Sequence, residues 1–200
     1  YNCEQKLKGS DKDLKLALKI LPTKFQDIAV AALFVTSSTT RGTKTTTTMD
    51  AIFNGLGAAL GFAALHAAND YIFKPQDLGC LCPPLGAVAV LLFSMPMAPA
   101  SQPKAVIGGH LIAGAVSCAV VMMELPQYGE MAAVALTITL MSMLEMTHPP
   151  AGAYAFLYVN KGMKPIGMLA PGLAGACVLI CTQQVFLRIK AAVLPKLKKH

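Results

Sequence analysis

The chain has 200 residues, of which 54% are hydrophobic and 14% are charged, and its net charge is +7. Ordinary soluble domains carry about 25% charged residues, so this composition argues against an ordinary soluble protein and predicts an integral membrane protein. A soluble protein with a large apolar core is the alternative, but such a protein rarely contains four apolar runs of membrane-spanning length.

Residues 1–50 predict an N-terminal extension in two parts. Leu14, Leu18 and Leu21 recur every three to four residues with lysines between them. This spacing predicts an amphipathic helix on the membrane surface, ended by Pro22. The stretch TSSTTRGTKTTTT, residues 36–48, is typical of an irregular, threonine-rich linker.

Four later runs are apolar enough to predict transmembrane helices, which need about 20 residues each. They cover approximately residues 51–73, 103–124, 129–147 and 165–188. Gly57 and Gly61 in the first run, and Gly172 and Gly175 in the last, are spaced as in membrane helices that approach each other closely. The sequence therefore predicts an all-α integral membrane protein whose transmembrane domain covers residues 51–188.

The charged ends of the chain indicate contact with lipid. Residues 189–200 form a basic tail without an acidic residue, and the first 25 residues hold six lysines against three acids. Four helices would place both termini on the non-translocated side, where positive charge is favoured. Binding of nucleic acid is the alternative, but no recognition motif accompanies the charge, and contact with anionic headgroups explains it.

The six cysteines do not predict a disulfide framework or a metal centre. Cys118, Cys177 and Cys181 lie within apolar runs, where cysteine behaves as a small hydrophobic residue. Cys80 and Cys82 form a C-x-C pair without a second pair or nearby histidines, which is weak evidence for a metal. No catalytic triad, P-loop or dinucleotide motif is present, so we expect no cofactor and no enzymatic activity.

Two blocks of the apolar region resemble each other in order. The stretch PPLGAVAVLLF begins at Pro83, and PPAGAYAFLYV begins at Pro149, 66 residues later. The motif Ala-Gly-Ala then follows in both copies, at 113–115 and 174–176. Chance similarity between glycine- and alanine-rich segments is the alternative, but two matching blocks in the same order favour a duplication. Each copy would consist of a spanning helix, a Pro-Pro break, a half-helix and a second spanning helix.

The proline pairs predict how these breaks function. Consecutive prolines end the preceding helix near His148 and suit the first turn of a new one. Gly86 and Gly152 would then allow close approach of the backbone. Interrupted segments in matching positions of two halves indicate a transport site, and the free N–H groups at residues 85–87 and 151–153 would suit a small anion.

The motifs resemble those of the HPP family of four-helix membrane proteins, named for the sequence seen here at His148, Pro149 and Pro150. The resemblance covers approximately residues 51–188 and includes PPLGAVAVLLF, GGHL (108–111) and THPPAGA (147–153). Members occur in bacteria and in plastid-bearing organisms, and plastid members are similar to nitrite transporters. The resemblance thus implies a carrier of small anions in a plastid membrane.

Some positions differ from the family pattern. Glu145 stands where many members carry a basic residue, and Val88 and Tyr154 replace hydroxyl residues. Lys104 keeps a basic position, but Ala105 replaces an asparagine. These differences motivate a second hypothesis, in which the protein kept the fold without the transport.

The polar residues of the apolar region have two interpretations each. Glu145 precedes His148 by three residues, so both could share a helix face, either as a functional pair or as an ion pair near the headgroups. His148 could relay a proton or cap the broken backbone, and His110 could be functional or structural. The predicted substrate-binding residues are His148, His110, Lys104, Gly86, Ala87, Gly152, Ala153 and Glu145.

Two functions follow. The first is a transporter or channel for a small inorganic anion, for which the resemblance implies nitrite. The second is a non-transporting accessory subunit of a larger organellar, possibly photosynthetic, membrane complex. Partners would be the lipid membrane and either a small anion, further copies of the chain or a host complex.

Overall fold

The computed structural model describes residues 48–125 and 127–197. The predicted amphipathic helix and most of the threonine-rich linker lie outside the described residues. Six α-helices form the described part: α1 (Thr48–Ala68), α2 (Pro84–Ser94), α3 (Pro103–Met122), α4 (Gly129–Met143), α5 (Pro149–Asn160) and α6 (Gly172–Leu197). A short π-helix (Asn69–Phe73) and a 3-10 turn (Lys74–Gln76) prolong α1, and two further 3-10 turns (Pro99–Ser101 and Pro165–Met168) precede α3 and α6. No strand occurs in this range, so the prediction of an all-α protein is confirmed.

Three stretches are long and apolar enough to cross a membrane: Thr48–Gln76, Pro103–Met122 and Pro165–Val193. They coincide with three of the four predicted spans. The fourth span is not confirmed, because the run 129–147 yields a helix of 15 residues, about 22 Å long, against a hydrocarbon core of about 30 Å. Helix α6 continues to Leu197 and so includes most of the predicted basic tail, residues 189–200.

The fourth run ends early because the chain turns before the proline pair. Glu145 adopts the left-handed conformation with φ of 54°, and the Met146 N–H donates to the Met141 carbonyl at 2.8 Å. This is a helix C-terminal turn of the Schellman type. The chain then becomes extended at His148, as expected for a residue before proline.

The helices form two packed groups. The first contains α1, α2 and α6, and its core includes Leu65, Leu92, Phe93, Leu179 and Phe186. The second contains α3, α4 and α5 around a core that includes Met141, Tyr154 and Tyr158. Contacts of α3 with α6 and of α2 with α5 join the groups. The last helix of each half of the sequence thus packs against the first two helices of the other half.

Glycines allow this close packing, as the sequence predicts. A Cβ atom added to Gly57 would lie 2.6 Å from the Phe93 ring, and one added to Gly61 would lie 2.9 Å from Leu179. A Cβ added to Gly172 would lie 2.7 Å from the Tyr154 ring. The spaced glycines of the first and last spans therefore lie in helix contacts rather than on the lipid-facing surface.

Candidate functional site

Both proline pairs begin a new helix, as predicted. In the first break, Pro83 precedes α2 and Pro84 is its first residue. In the second break, His148 precedes α5, whose first two residues are Pro149 and Pro150. The two half-helices have 11 and 12 residues and contact each other. The sequence therefore located both breaks and the half-helices that follow them.

The first break is apolar and internally hydrogen-bonded. Cys80 is fully buried; its N–H donates to the Asn69 side-chain oxygen at 3.2 Å, and its Sγ lies 3.4 Å from the Leu65 carbonyl. Helix α6 lies directly on this break, because a Cβ at Gly175 would collide with the Cys80 carbonyl and with Leu85. These contacts give the first break a structural role.

The second break carries His148 into the protein interior. Its side chain is 0% exposed, and its Nδ1 lies 2.7 Å from the Ala100 carbonyl in the turn before α3. Helix α3 approaches at Gly109, where an added Cβ would lie 2.8 Å from the His148 Cβ and 3.3 Å from the Ala151 Cβ. The histidine is thus held between the turn before α3 and α3 itself.

His110 on α3 faces His148. Its side chain is also 0% exposed, and its Nδ1 lies 2.9 Å from the Val106 carbonyl, one helical turn earlier. The centres of the two imidazole rings are 5.2 Å apart with an interplanar angle of 48°. The fold therefore brings together two of the eight predicted site residues, although 38 positions separate them in the sequence.

The hydrogen bonds determine which ring nitrogen carries the proton. A backbone carbonyl can only accept a hydrogen bond, so Nδ1 must be the donor in both histidines. When the rings are neutral, each Nε2 is then an unprotonated acceptor. Neither Nε2 atom has a hydrogen-bond partner among the described residues, although both side chains are fully buried. A buried acceptor without a donor is costly, so this pair is the strongest candidate for a functional site among the described residues.

Two residues that the sequence analysis did not select shape this site. Tyr154 is fully buried, its ring centre lies 5.8 Å from that of His110, and its hydroxyl donates to the Gly167 carbonyl at 2.5 Å. The sulfur of Met141 lies near the same face of α3, 3.3 Å from where a Cβ of Gly109 would stand. The Gly108-Gly109 pair directly before His110 was the signal that α3 is closely approached at this point.

The other predicted site residues lie elsewhere. Lys104, Gly86, Ala87 and Ala153 are exposed, and Gly152 is half-buried. No atom lies within 4 Å of a Cβ built on Gly86 or Gly152, so the prediction that these glycines allow close backbone approach is wrong.

The prediction of free N–H groups at the half-helix starts is also wrong for Leu85, Gly86 and Ala151. The N–H groups of Leu85, Gly86 and Ala151 donate to the carbonyls of Cys82, Pro83 and His148 at 3.0–3.1 Å. Each of these bonds joins an N–H group to the carbonyl three residues earlier, as in a 3-10 turn. Such a turn is expected where prolines occupy the first positions of a helix.

Glu145 does not share a helix face with His148. Helix α4 ends at Met143, and Glu145 is exposed in the turn that follows. The expectation of a Glu–His pair on one helix is therefore wrong, because the chain leaves helical geometry before reaching the histidine. Glu145 therefore does not serve as an acidic partner of the histidine pair.

An open pocket of about 370 Å³ lies away from the histidines. It lies where α3 ends, α4 begins and α5 ends, and its lining residues are Val120, Val121, Glu124, Leu125, Glu130, Val159, Asn160 and Gly162. Neither histidine lines it, and its two glutamates would disfavour an anion. Among the described residues, no group of three or more His, Cys, Asp or Glu side chains is placed to hold a metal.

Comparison with known families supports the resemblance seen in the motifs. The model of the HPP transmembrane region matches residues 43–195, more than three quarters of the chain. The chain belongs to the HPP family. No curated protein and no solved structure matches it. Membership of the HPP family, together with three apolar spanning stretches, establishes an integral membrane protein that resides in the lipid bilayer.

Proposed function

We propose that this HPP protein transports a small inorganic anion, with nitrite as the first substrate to test, and that it acts in transport rather than catalysis. The observation that carries the proposal is a pair of fully buried imidazoles between a membrane-spanning helix and a helix break, whose Nε2 atoms find no partner in the described part of the chain. Polar groups without partners are costly in a bilayer, and they are typically kept there for function.

The position of the pair also supports transport. Transport sites commonly lie where interrupted helices from two halves of a protein meet. Here the half-helices α2 and α5 contact each other, and His148 directly precedes α5. The site is closed in this conformation, because Gly109 lies against His148 and Ala151. Under this proposal, α3 would have to move relative to the second break to admit an anion.

Uptake into liposomes tests this proposal. Purified protein in proteoliposomes should accumulate nitrite faster than protein-free vesicles at the same external pH. His148→Asn should remove most of this uptake, whereas His66→Asn should not, because His66 is exposed on α1 and lies outside the site. Uptake that does not exceed that of empty vesicles would remove the proposal.

A second candidate function is that of an accessory subunit in a larger membrane complex. It is favoured because neither histidine lines the pocket, and because Lys104, which was expected to attract an anion, is exposed. Size-exclusion chromatography of a mildly solubilised native membrane distinguishes the two. Co-elution of the 21.0 kDa chain with a much larger assembly would favour the subunit, and elution as a monomer or small homo-oligomer would argue against it.

We also propose a plastid membrane as the location, since the resemblance to plastid members of the family is its only support. Fractionation of isolated plastids, followed by detection of the chain in envelope and thylakoid membranes, tests this placement.

A further inference from the structure

We propose that the anion crosses the His110–His148 pair only together with a proton, so that the protein is an anion–proton symporter. This inference rests on the proposed function and specifies its driving force. The proton would reside on an Nε2 atom of the pair while the anion is bound, and both would be released on the other side of the membrane.

The hydrogen-bond pattern requires the proton. An inorganic anion such as nitrite can only accept hydrogen bonds. Both Nδ1–H groups already donate to the carbonyls of Val106 and Ala100, at 2.9 and 2.7 Å. The anion could therefore meet these rings only at Nε2, which in the neutral ring is itself an acceptor. Two acceptors repel each other, so at least one Nε2 must first gain a proton and become a charged donor.

Other donors near the pair do not replace this proton. The hydroxyl of Tyr154 donates to the Gly167 carbonyl, and the hydroxyl of Ser117 donates to the Ala155 carbonyl. Thr137 is buried one turn before Met141 on α4, and its hydroxyl has no partner among the described residues. This hydroxyl can supply one neutral hydrogen bond but no positive charge.

The part of the chain that the structure describes places no fixed charge beside the pair that could balance either ion. Lys104 and Glu145 are exposed, and Glu130 accepts a hydrogen bond from Asn160 at the far end of α5. The other described titratable side chains on or beside the elements packed around the pair are Lys104, Cys118 and Glu124 of α3 and its end, Tyr128, Glu130 and Glu145 of α4 and its flanking turns, Tyr154, Tyr158 and Lys161 of α5 and its end, Cys80 and Cys82 before α2, and Lys164, Cys177, Cys181, Arg188 and Lys190 of α6 and the turn before it. Of these side chains, Tyr154 is the one with a ring contact to a histidine of the pair, and it is neutral.

Mutual neutralisation then couples the two ions. A buried imidazolium without a counter-charge is unfavourable, and so is a buried anion without a cation. Each ion strengthens binding of the other, and this coupling is reciprocal. Neither ion enters alone, so one negative and one positive charge cross together and no net charge moves. On release, the Nε2 proton passes to water and the pair returns to its neutral state.

Proteoliposomes loaded with a pH-sensitive dye test this inference, with nitrite as the probe and protein-free vesicles subtracted at each pH. Lowering external pH at constant internal pH should raise initial uptake by about tenfold per unit, since the protonated fraction of a neutral site rises in that proportion. Nitrite influx should acidify the lumen, and a potential set with valinomycin and potassium should leave the rate unchanged.

The outcomes separate the two proposals. Uptake driven by membrane potential and insensitive to the pH gradient would overturn symport and leave anion transport in place. Uptake equal to that of empty vesicles would overturn both.

Variants provide an independent readout. His148→Gln supplies a neutral amide N–H donor that needs no proton, so residual uptake should lose its dependence on the pH gradient and respond to membrane potential. The matched control is His66→Gln, which should retain the wild-type dependence. If His148→Gln does not fold, His110→Gln serves the same purpose, and the wild-type measurement decides the question without either variant. Retention of the full pH dependence in a folded His148→Gln variant would contradict the inference.

Discussion

The two helix breaks share a backbone design but differ in what they hold. In both, a proline pair begins a half-helix, and a glycine of a spanning helix lies against the break: Gly175 at the first and Gly109 at the second. At the position of His148, the first break has Cys82, 66 residues earlier. Cys80 at the first break is hydrogen-bonded to Asn69 and Leu65, whereas the two Nε2 atoms at the second break have no partner within residues 48–125 and 127–197.

This difference indicates that the first break serves the packing of the helices, whereas the second holds the candidate functional groups. A protein that needed only two interrupted helices could have paired the buried polar groups of both breaks internally, as it paired those of Cys80 at the first. Retaining two buried imidazoles at the second break costs stability, which is expected of a functional site. The duplication of the breaks stays a prediction. Under it, one copy would serve the packing of the helices and the other would hold the candidate site.

The largest expected effect is at the first break. Replacing Gly175 by alanine should destabilise the protein by about 1–3 kcal/mol, because the new Cβ would collide with the rigid Cys80 carbonyl and with Leu85. Circular dichroism of the unfolding transition in detergent measures this, since the chain has no tryptophan for fluorescence. Gly55→Ala is the control, because nothing lies within 4 Å of its Cβ position. Equal midpoints for the two variants would disprove the close contact at Gly175.

Gly109→Ala should affect the second break differently from the way Gly175→Ala affects the first. The added Cβ would displace His148 and Ala151, so we expect a loss of stability of about 1–2 kcal/mol together with loss of most nitrite uptake. Gly175→Ala, compared at equal amounts of folded protein, should retain a larger share of its uptake. If both variants lose uptake equally, the functional distinction between the breaks does not hold.

Tyr154→Phe should have a moderate effect confined to stability. It removes the hydroxyl that donates to the Gly167 carbonyl and leaves that carbonyl buried without its donor, at a cost of about 1 kcal/mol. The unfolding midpoint should fall by about 2–4 °C for a chain of this size. Tyr71→Phe is the control, because Tyr71 is 84% exposed. A midpoint unchanged from the control would show that the hydroxyl bond contributes nothing.

The smallest effect is expected at the glycines of the proline motifs. Gly86→Ala and Gly152→Ala should be neutral or should stabilise the protein by a few tenths of a kcal/mol, because no atom approaches either position and alanine favours helix. The same unfolding assay measures both variants. A loss above about 1 kcal/mol would restore the expectation, drawn from the motif, that another backbone approaches these glycines.

The motifs located the breaks, but they did not show which groups line the site. Gly86, Ala87 and Ala153 were selected because a half-helix start has free N–H groups, yet the proline turns pair the N–H groups of Leu85, Gly86 and Ala151 locally. Glu145 was placed on a helix face with His148 because the apolar run continues to residue 147, yet the chain turns at Glu145. Both errors arose because hydropathy and helix periodicity do not reveal where a helix ends before a proline pair.

Some features depended on sequence alone. The apolar composition and the lengths of three runs were sufficient to predict a membrane protein with those three spans, because a bilayer requires about 20 apolar residues per helix. The two proline pairs determined where the half-helices begin, since proline lacks the N–H that a continuing helix needs. These are local effects of side-chain polarity and backbone geometry.

Only the tertiary structure decided that His110 and His148 meet. Their rings come within 5.2 Å because α3 packs against the second break at Gly109, and their protonated nitrogens are chosen by the Val106 and Ala100 carbonyls. One of these carbonyls lies 48 residues from the histidine it binds. Neither the distance between two helices nor the orientation of a ring follows from a local pattern, because both result from packing between distant segments.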